Sequence, residues 1–292
     1  MIGNCPVTDT LILPAPAKIN LFLHINGQRS NGYHELQTIF QFLDYSDTLM
    51  FTKTDDNQIT LSCDLSELQS DDNLIIRAAR LLQANYAKDK GIHIHLDKVL
   101  PMGGGVGGGS SDAATTMLAL NKLWELNLSP ALLAQLGLEL GADIPVFING
   151  HSVFAQGVGE LFTPYQPAEC WYLVAKPNCH VATDKIFKHP DLPRDTPTIN
   201  PQDYQFDNSM NDCQSLVKKL YPEVAKTLER LIEYAPTRMT GTGACIFSTF
   251  TNRQQAEKTA EKAKAYLPKN VSIFIAKGLN VSPTHTALSK YG

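Results

Sequence analysis

The run PMGGGVGGGSSDAATTML, residues 101–118, holds six of the nineteen glycines of a 292-residue chain. Glycine admits positive φ and lets other groups come close to the backbone. Here the soft run gives way at once to Ser-Ser-Asp-Ala-Ala and an apolar helical pattern. A glycine loop feeding a helix offers converging backbone N–H groups, the unpaired amides of the first turn and the positive end of the helix dipole. That combination cradles phosphate. Ser110 and Ser111 add hydroxyls suited to a phosphate or a metal. A plain linker is the competing reading, but a strand before the run and a well-capped helix after it favour the cradle. The run lacks the Gly-Lys-Ser/Thr ending of a Walker loop. A dinucleotide fingerprint could be laid on Gly103, Gly105 and Gly108. It is rejected because two helices follow, where that motif needs a helix and then a parallel strand.

The rest of the chain is ordinary globular material, 43% apolar and 18% charged. A net charge of −4 gives no general attraction to nucleic acid or an anionic membrane, so an anionic ligand needs a local positive site. Cys5, Cys63, Cys170, Cys179, Cys213 and Cys245 are scattered without a CxxC pair. They read as reduced thiols, and a cytoplasmic protein is expected. Pro14 and Pro16 interrupt the only apolar start, so neither a signal peptide nor a membrane span is expected. His93 and His95 share a strand face without a third ligand, which argues against zinc.

Periodicity sets the elements. KINLFLHI (18–25) alternates as a strand, with Lys18, Asn20, Phe22 and His24 on one face. An Asn-Gly turn follows, then strands over 33–43 and near 48–52. Asp71-Asp72-Asn73 caps a helix. Residues 92–100 alternate into the glycine loop, whose helix runs to about Trp124. Ser129-Pro130 opens another helix, closed by Gly141. DIPVFI (143–148) and HSVFA (151–155) read as strands. The pattern resets at Gly157-Val158-Gly159. Beyond it come a strand, a helix over 222–234, two strands flanking TGTGA, a helix over 253–267 and a strand over 271–276, which is a split βαβ order. The expected architecture is α+β in two domains, 1–156 and 157–292.

PMGGGVGGGSSDAA resembles the second motif of the GHMP kinase superfamily, which includes galactokinase, homoserine kinase and the mevalonate and phosphomevalonate kinases. The superfamily pattern ends Ser-Ser-Ala, whereas Asp112 stands here before Ala113. PAPAKINLFLHINGQRSNGYHELQTIFQFLDYSDTL is similar to the first motif as it occurs in the 4-diphosphocytidyl-2-C-methyl-D-erythritol kinase family. GADIPVF is similar to that family's catalytic-aspartate segment, and RMTGTGACIF to the third superfamily motif. AKINLFL, GYHELQT and NDC together single out this family, and the resemblance covers nearly the whole chain.

The resemblance implies a GHMP kinase fold, with an N-terminal βαβ-type nucleotide-binding domain and a C-terminal ferredoxin-like domain. It implies transfer of the ATP γ-phosphoryl group, with Mg2+, to the 2-hydroxyl of a CDP-linked methylerythritol in non-mevalonate isoprenoid precursor biosynthesis. Asp143 matches the base and Lys18 the cation beside it; taken singly they read as a turn residue and a solvated lysine. Asn20 supports Lys18 from the same strand face. Pro101, Met102, Gly103, Gly104, Gly105, Val106, Gly107, Gly108, Gly109, Ser110 and Ser111 match the phosphate loop. Lys98 and Asn73 fall where the family contacts adenine, Asn73 doubling as a cap. Tyr33, His34 and Phe187 match the cytosine slot, and Thr183 lies near the substrate's polar groups. Gly241, Thr242 and Gly243 match a turn close to the phosphates. No protein ligand for the metal is assigned beyond Ser110 or Ser111 as candidates. The expected partners are small molecules, with no nucleic acid or membrane, on a monomer or weak homodimer. A GHMP kinase for another alcohol, of mevalonate or homoserine type, and a non-catalytic nucleotide-binding module are the alternatives.

Overall fold

The computed structural model describes residues 10–291, so Cys5 lies outside the described residues. Two long antiparallel strands, β1 (Thr10–Gln28) and β2 (His34–Thr54), form the spine. β3 (Ile59–Cys63), α1 (Leu74–Tyr86) and β4 (Gly91–Asp97) follow, with β3 and β4 parallel and β4 antiparallel to β2. The β3–α1–β4 crossover is the expected βαβ unit. Helices α2 (Gly108–Leu123), α3 (Pro130–Leu140) and α4 (Ile144–Asn149) then cover the sheet, and β5 (Val153–Gln156) and β6 (Leu161–Pro164) complete this half. Side-chain caps explain two of these helix starts. Asn73 accepts from the Ile75 amide and Ser129 from the Leu132 amide.

The second half runs β7 (Trp171–Lys176), α5 (Thr183–Phe187), α6 (Asp212–Leu220), α7 (Pro222–Ile232), β8 (Thr237–Met239), β9 (Ile246–Phe250), α8 (Arg253–Lys264), β10 (Ser272–Leu279) and α9 (Pro283–Leu288). Its strands lie in the order β10-β7-β9-β8, every pair antiparallel. The last strand flanks the first and the third flanks the second, which is the ferredoxin-like arrangement expected from the element order. β10 also pairs with β2 through Leu279 and Phe42, so one sheet runs through both halves. The chain after β10 returns to the first half: Thr284 Oγ1 donates to the Pro14 carbonyl at 2.7 Å, and Ala287 and Leu288 pack on the first core.

Each half has its own core, and β1 connects them. Leu11 and Leu13 lie in the first core with Phe51, Met117 and Phe147. Leu23 and Ile25 lie in the second with Val217, Leu228 and Ile246. Between them Ile19 and Phe22 pack with Val106, Cys245 and Phe247. The simple alternation expected over 18–25 does not survive this. Register shifts between Asn20 and Leu23, and on either side of them, turn the strand from one core to the next, and every residue from Lys18 to Ile25 is buried. β1 also begins well before Lys18, despite Pro14 and Pro16. It pairs only with β2, and an unpaired edge tolerates proline. The two strands expected over 33–43 and 48–52 are one.

The strand expected over 143–148 is a helix. A short buried apolar run fits either element by pattern, and Pro145 at the start of α4 suits a helix, where its missing N–H costs nothing. Helix α6 carries no strong apolar run, so periodicity does not announce it, although the NDC run stands at its start. Asn211 caps it through the Cys213 amide. Cys63, Cys170, Cys179, Cys213 and Cys245 are free thiols. No helix among the described residues is long and apolar enough to cross a membrane.

The glycine loop is seated by backbone contact. The Val106 carbonyl accepts from the Lys18 amide on β1 (2.9 Å), and the Gly104 carbonyl accepts from the Cys245 amide ahead of β9 (3.0 Å). Gly105 has φ +76°, and a Cβ there would stand 2.6 Å from the Thr240 carbonyl oxygen. By contrast a Cβ on Gly109, inside α2, would meet nothing closer than a Leu74 methyl at 3.7 Å. Gly105→Ala should therefore cost about 1–3 kcal/mol in strain, or more through the clash. Gly109→Ala should be neutral or gain up to about 1 kcal/mol from helix propensity. Denaturant melts of the two variants check the opposite signs.

Candidate active site

Residues 101–105 and 107–110 of the loop wall a cavity of about 440 Å3, lined also by Leu68, Asn73, Leu74, Lys98 and Asp143. That volume lies in the range of nucleotide-sized ligand sites. Gly103, Gly105 and Gly107 all have positive φ, at 63°, 76° and 75°, with α2 starting directly after Gly107. Alternating left-handed residues turn neighbouring amides toward one concavity, and the helix start adds its own. Val106 and Ser111 of the expected loop are instead fully buried and do not line the cavity. Val106 faces the core between the halves, and the Ser111 hydroxyl is buried without a partner. Ser110 remains on the wall. The 66–70 segment and the Asn73 cap close the side where the sequence reading expected adenine. Both ends of the Asn73 amide are already used, Oδ1 by the Ile75 amide and Nδ2 by the Leu68 carbonyl.

Beside Asp143, Lys18 is only 3% exposed, which removes the reading of a solvated lysine. Its Nζ lies 3.2 Å from Asp143 Oδ2 and donates to Asn20 Oδ1 at 2.7 Å. Asn20 is itself held, its Nδ2 donating to Thr38 and its amide to the Thr240 hydroxyl. Strand geometry puts Lys18 and Asn20 on one face. Asp143 stands between α3 and α4, directly before Ile144, with no capping bond of its own and its side chain 36% exposed. The result is a buried ammonium with fixed direction beside a carboxylate open to the cavity.

The third motif meets the loop edge to edge. A Cβ on Gly241 would lie 3.3 Å from the Gly105 carbonyl, so the two glycine turns pack backbone on backbone. Asn211 of the NDC run fastens this turn, its Nδ2 donating to the Met239 and Gly241 carbonyls at 2.8 Å each. Asp212 accepts from the Ile25 amide and so ties α6 to β1. Thr242 continues outward to Thr183 at the start of α5, the two hydroxyls 2.9 Å apart. At the end of α5 the Phe187 ring lies 5.1 Å from that of His34, the first residue of β2. Tyr33 is 62% exposed in the β1–β2 turn. His34, Phe187, Thr183, Thr242 and Gly105 thus form one connected seam from the base slot expected by motif to the glycine loop. His180, which drew no role from the sequence, sits against Gly103. His93 and His95 bond to Thr60, Ser62 and Asp97, and no group of three metal-ligating residues occurs among the described residues.

Family models describe the same chain. The GHMP kinases N terminal domain matches residues 73–151 and the GHMP kinases C terminal domain residues 197–269. A 4-diphosphocytidyl-2-C-methyl-D-erythritol kinase from Pseudoalteromonas atlantica is 55% identical over 96% of this chain and 96% of its own. The chain belongs to the 4-diphosphocytidyl-2-C-methyl-D-erythritol kinase family. A kinase of the same name from Shewanella woodyi is 56% identical over 95% of this chain and 96% of its own. A solved 4-(cytidine 5'-diphospho)-2C-methyl-D-erythritol kinase superposes with a TM-score of 0.79 at 28% identity, covering 92% of this chain and 99% of that one. A homoserine kinase from Cytophaga hutchinsonii shares the fold, with a TM-score of 0.71 at 15% identity over 97% of this chain and 98% of its own. The α+β GHMP kinase fold and an ATP-dependent kinase follow from this membership.

In this member of the 4-diphosphocytidyl-2-C-methyl-D-erythritol kinase family, the departure at Asp112 has a structural reason. Lys98 lines the cavity along with Asn73; its Nζ bonds Asp47 Oδ2 at 2.6 Å and Asp112 Oδ2 at 2.7 Å, all three side chains nearly buried. Asp47 Oδ1 also accepts from the Val99 and Leu100 amides, so the strand leading into the loop is clamped to β2 and α2 together. Burial alone would lower the Lys98 ammonium, but Asp112 and Asp47 outweigh it and hold it above its usual range. Two carboxylates share this one cation. Burial pushes the Asp112 carboxyl up to about 7, Asp47 adding to the rise and Lys98 opposing it. A carboxyl raised on folding favours the fold when protonated, and that contribution is lost as pH rises from its unfolded value toward about 7. Asp112→Asn should therefore gain on the parent by about 2 kcal/mol between pH of about 5 and about 8. Chemical denaturation of both proteins across that range checks it; a constant difference would contradict it.

Proposed function

We propose that the protein transfers the γ-phosphoryl group of ATP to the 2-hydroxyl of 4-diphosphocytidyl-2-C-methyl-D-erythritol, giving the 2-phosphate and ADP. The observation that carries this reading is the Lys18–Asp143 pair, 3.2 Å apart, whose carboxylate lines the glycine-loop cavity. Membership of a family whose relatives bear that kinase's name supplies the alcohol.

Phosphoryl transfer asks little covalent chemistry of a protein and much positioning and charge neutralisation. The amides of residues 103–110 hold the phosphates, with the nucleoside lying toward Leu68 and Asn73. Asp143 accepts the proton of the attacking hydroxyl, and its exposure toward the cavity leaves it free to do so. Lys18, aimed by Asn20, offsets the charge that develops on the transferring group. His34, Phe187 and the exposed Tyr33 receive the cytosine, and Thr183 the polar part of the substrate.

Mg2+ takes few protein ligands when phosphates and waters complete its shell. The cavity wall fits that case, offering hard oxygen donors without a cluster of three metal-ligating residues. Ser110 is the loop hydroxyl that would hold the ion, which when bound would supply neutralisation of phosphate charge. Half 1–156 carries the phosphate loop, Lys18 and Asp143, and half 157–292 brings Thr183, Phe187 and the third glycine motif to a substrate that Tyr33 and His34 also contact.

Two measurements test the reading. ADP release should be fast with the CDP-linked methylerythritol and near background with mevalonate or homoserine; the reverse order would refute the substrate. Asp143→Asn should keep ATP affinity and lose about 10²–10⁴-fold in kcat, the scale of a lost general base. Near-parental turnover would remove Asp143 from that role.

A further inference from the structure

One arginine lies behind the base slot and touches both of its sides. Arg194 sits in the proline-rich stretch after α5, a segment anchored to the end of β1 by the Thr196 amide on the Ile25 carbonyl (3.1 Å) and by the Thr196 hydroxyl on Asp212 (2.7 Å). Its Nε donates to His34 Nε2 at 3.0 Å. Its terminal nitrogens donate to the carbonyls of Phe187, His189 and Leu192, each at 2.9 Å. The guanidinium therefore joins the first residue of β2 to the chain that carries Phe187, while the two rings lie 5.1 Å apart.

This contact also decides the chemistry of His34. A guanidinium has only donors, so the imidazole nitrogen facing it must offer a lone pair. Burial, and then the charge of Arg194, lower the His34 pKa and keep the ring neutral. A neutral ring with a lone pair on Nε2 carries its proton on Nδ1. His34 is thereby a fixed donor through Nδ1, the ring nitrogen that Arg194 does not engage. A donor aimed at a pyrimidine edge meets a lone pair at N3 of cytosine but an N–H at N3 of uracil.

We infer that Arg194 is a positioning residue of the base slot: it locks His34 as the Nδ1-protonated donor and holds Phe187 against it, and so makes the site select a cytidine over a uridine diphosphate-linked alcohol. The inference rests on the proposed placement of the base at His34 and Phe187. Arg194 touches no reacting atom and acts through those two residues.

The test compares Arg194→Met, which keeps the stem and removes every donor, with Arg194→Lys, which restores one. Kinetics on the full-length enzyme with ATP and either the CDP-linked or the UDP-linked alcohol should show a KM for the CDP-alcohol raised about 10–100-fold in Arg194→Met. The KM for ATP should stay near parental and kcat within a few-fold, and cytidine-over-uridine selectivity should fall about 10-fold. Arg194→Lys should recover most of the selectivity. Independently, 15N NMR of the histidine rings should show His34 as the Nδ1-protonated tautomer in the parent and the Lys variant, and a mixture in the Met variant. An Nε2-protonated His34 in the parent, or unchanged selectivity in Arg194→Met, would overturn the inference while leaving the kinase reading intact. If His34→Ala and Phe187→Ala also leave the KM for the CDP-alcohol unchanged, the placement of the base itself fails and the inference falls with it.

Discussion

The contact between Gly105 and the Thr240–Gly243 turn is the constraint from which the rest of the site follows. Two backbones meet there with no room for a side chain on either. The meeting brings the start of α2, in the first half, against the strand pair β8–β9 of the second. It also fixes the loop from beneath: the Val106 side chain fills the core between the halves while its carbonyl receives the Lys18 amide. A loop rich in glycine would otherwise sample many conformations at an entropic cost to any ligand that ordered it. Here that ordering is done by folding, which seats the loop against β1 and the approach to β9.

Charge is arranged around this seat at two depths. Lys18 has one carboxylate and one amide oxygen as partners, and that carboxylate lines the cavity. Lys98 lies deeper with two carboxylates and two backbone amides engaged around it. Removing ions from water is expensive, and a buried pair repays it only when geometry and extra hydrogen bonds are good. The deeper cluster spends its charges on one another and on the strand entering the loop. The outer pair leaves its carboxylate partly exposed. Two lysines close in sequence to the same loop thus have different duties, and burial with partner count separates them.

Much of this was legible in the residues because the relevant physics is local. The caps at Asn73 and Ser129, the helix after the glycine run and the antiparallel order of the second half follow from spacing and side-chain chemistry over a few positions. Lys18 with Asn20 on one face follows from strand geometry. What escaped depends on contacts distant in sequence. Nothing near Lys98 announces that Asp47 will close on it, and nothing in a proline-rich stretch announces that Arg194 will reach His34 across 160 positions. The run 144–148 is equally apolar as strand or helix, and only its packing under α3 decides. Val106 and Ser111 read as loop residues like their neighbours, yet the direction in which a loop turns its side chains is set by what it packs against.

The central claim is that the preformed amides around residue 105 and the Lys18–Asp143 pair act on the same transferred group. A crystal structure with a non-hydrolysable ATP analogue and the CDP-linked alcohol bound tests it most directly. The account predicts the β- and γ-phosphates over residues 103–110, with the acceptor hydroxyl within hydrogen-bond distance of the Asp143 carboxylate and Lys18 facing the γ-phosphate. A triphosphate lodged away from the loop, or an acceptor hydroxyl out of reach of Asp143, would contradict it.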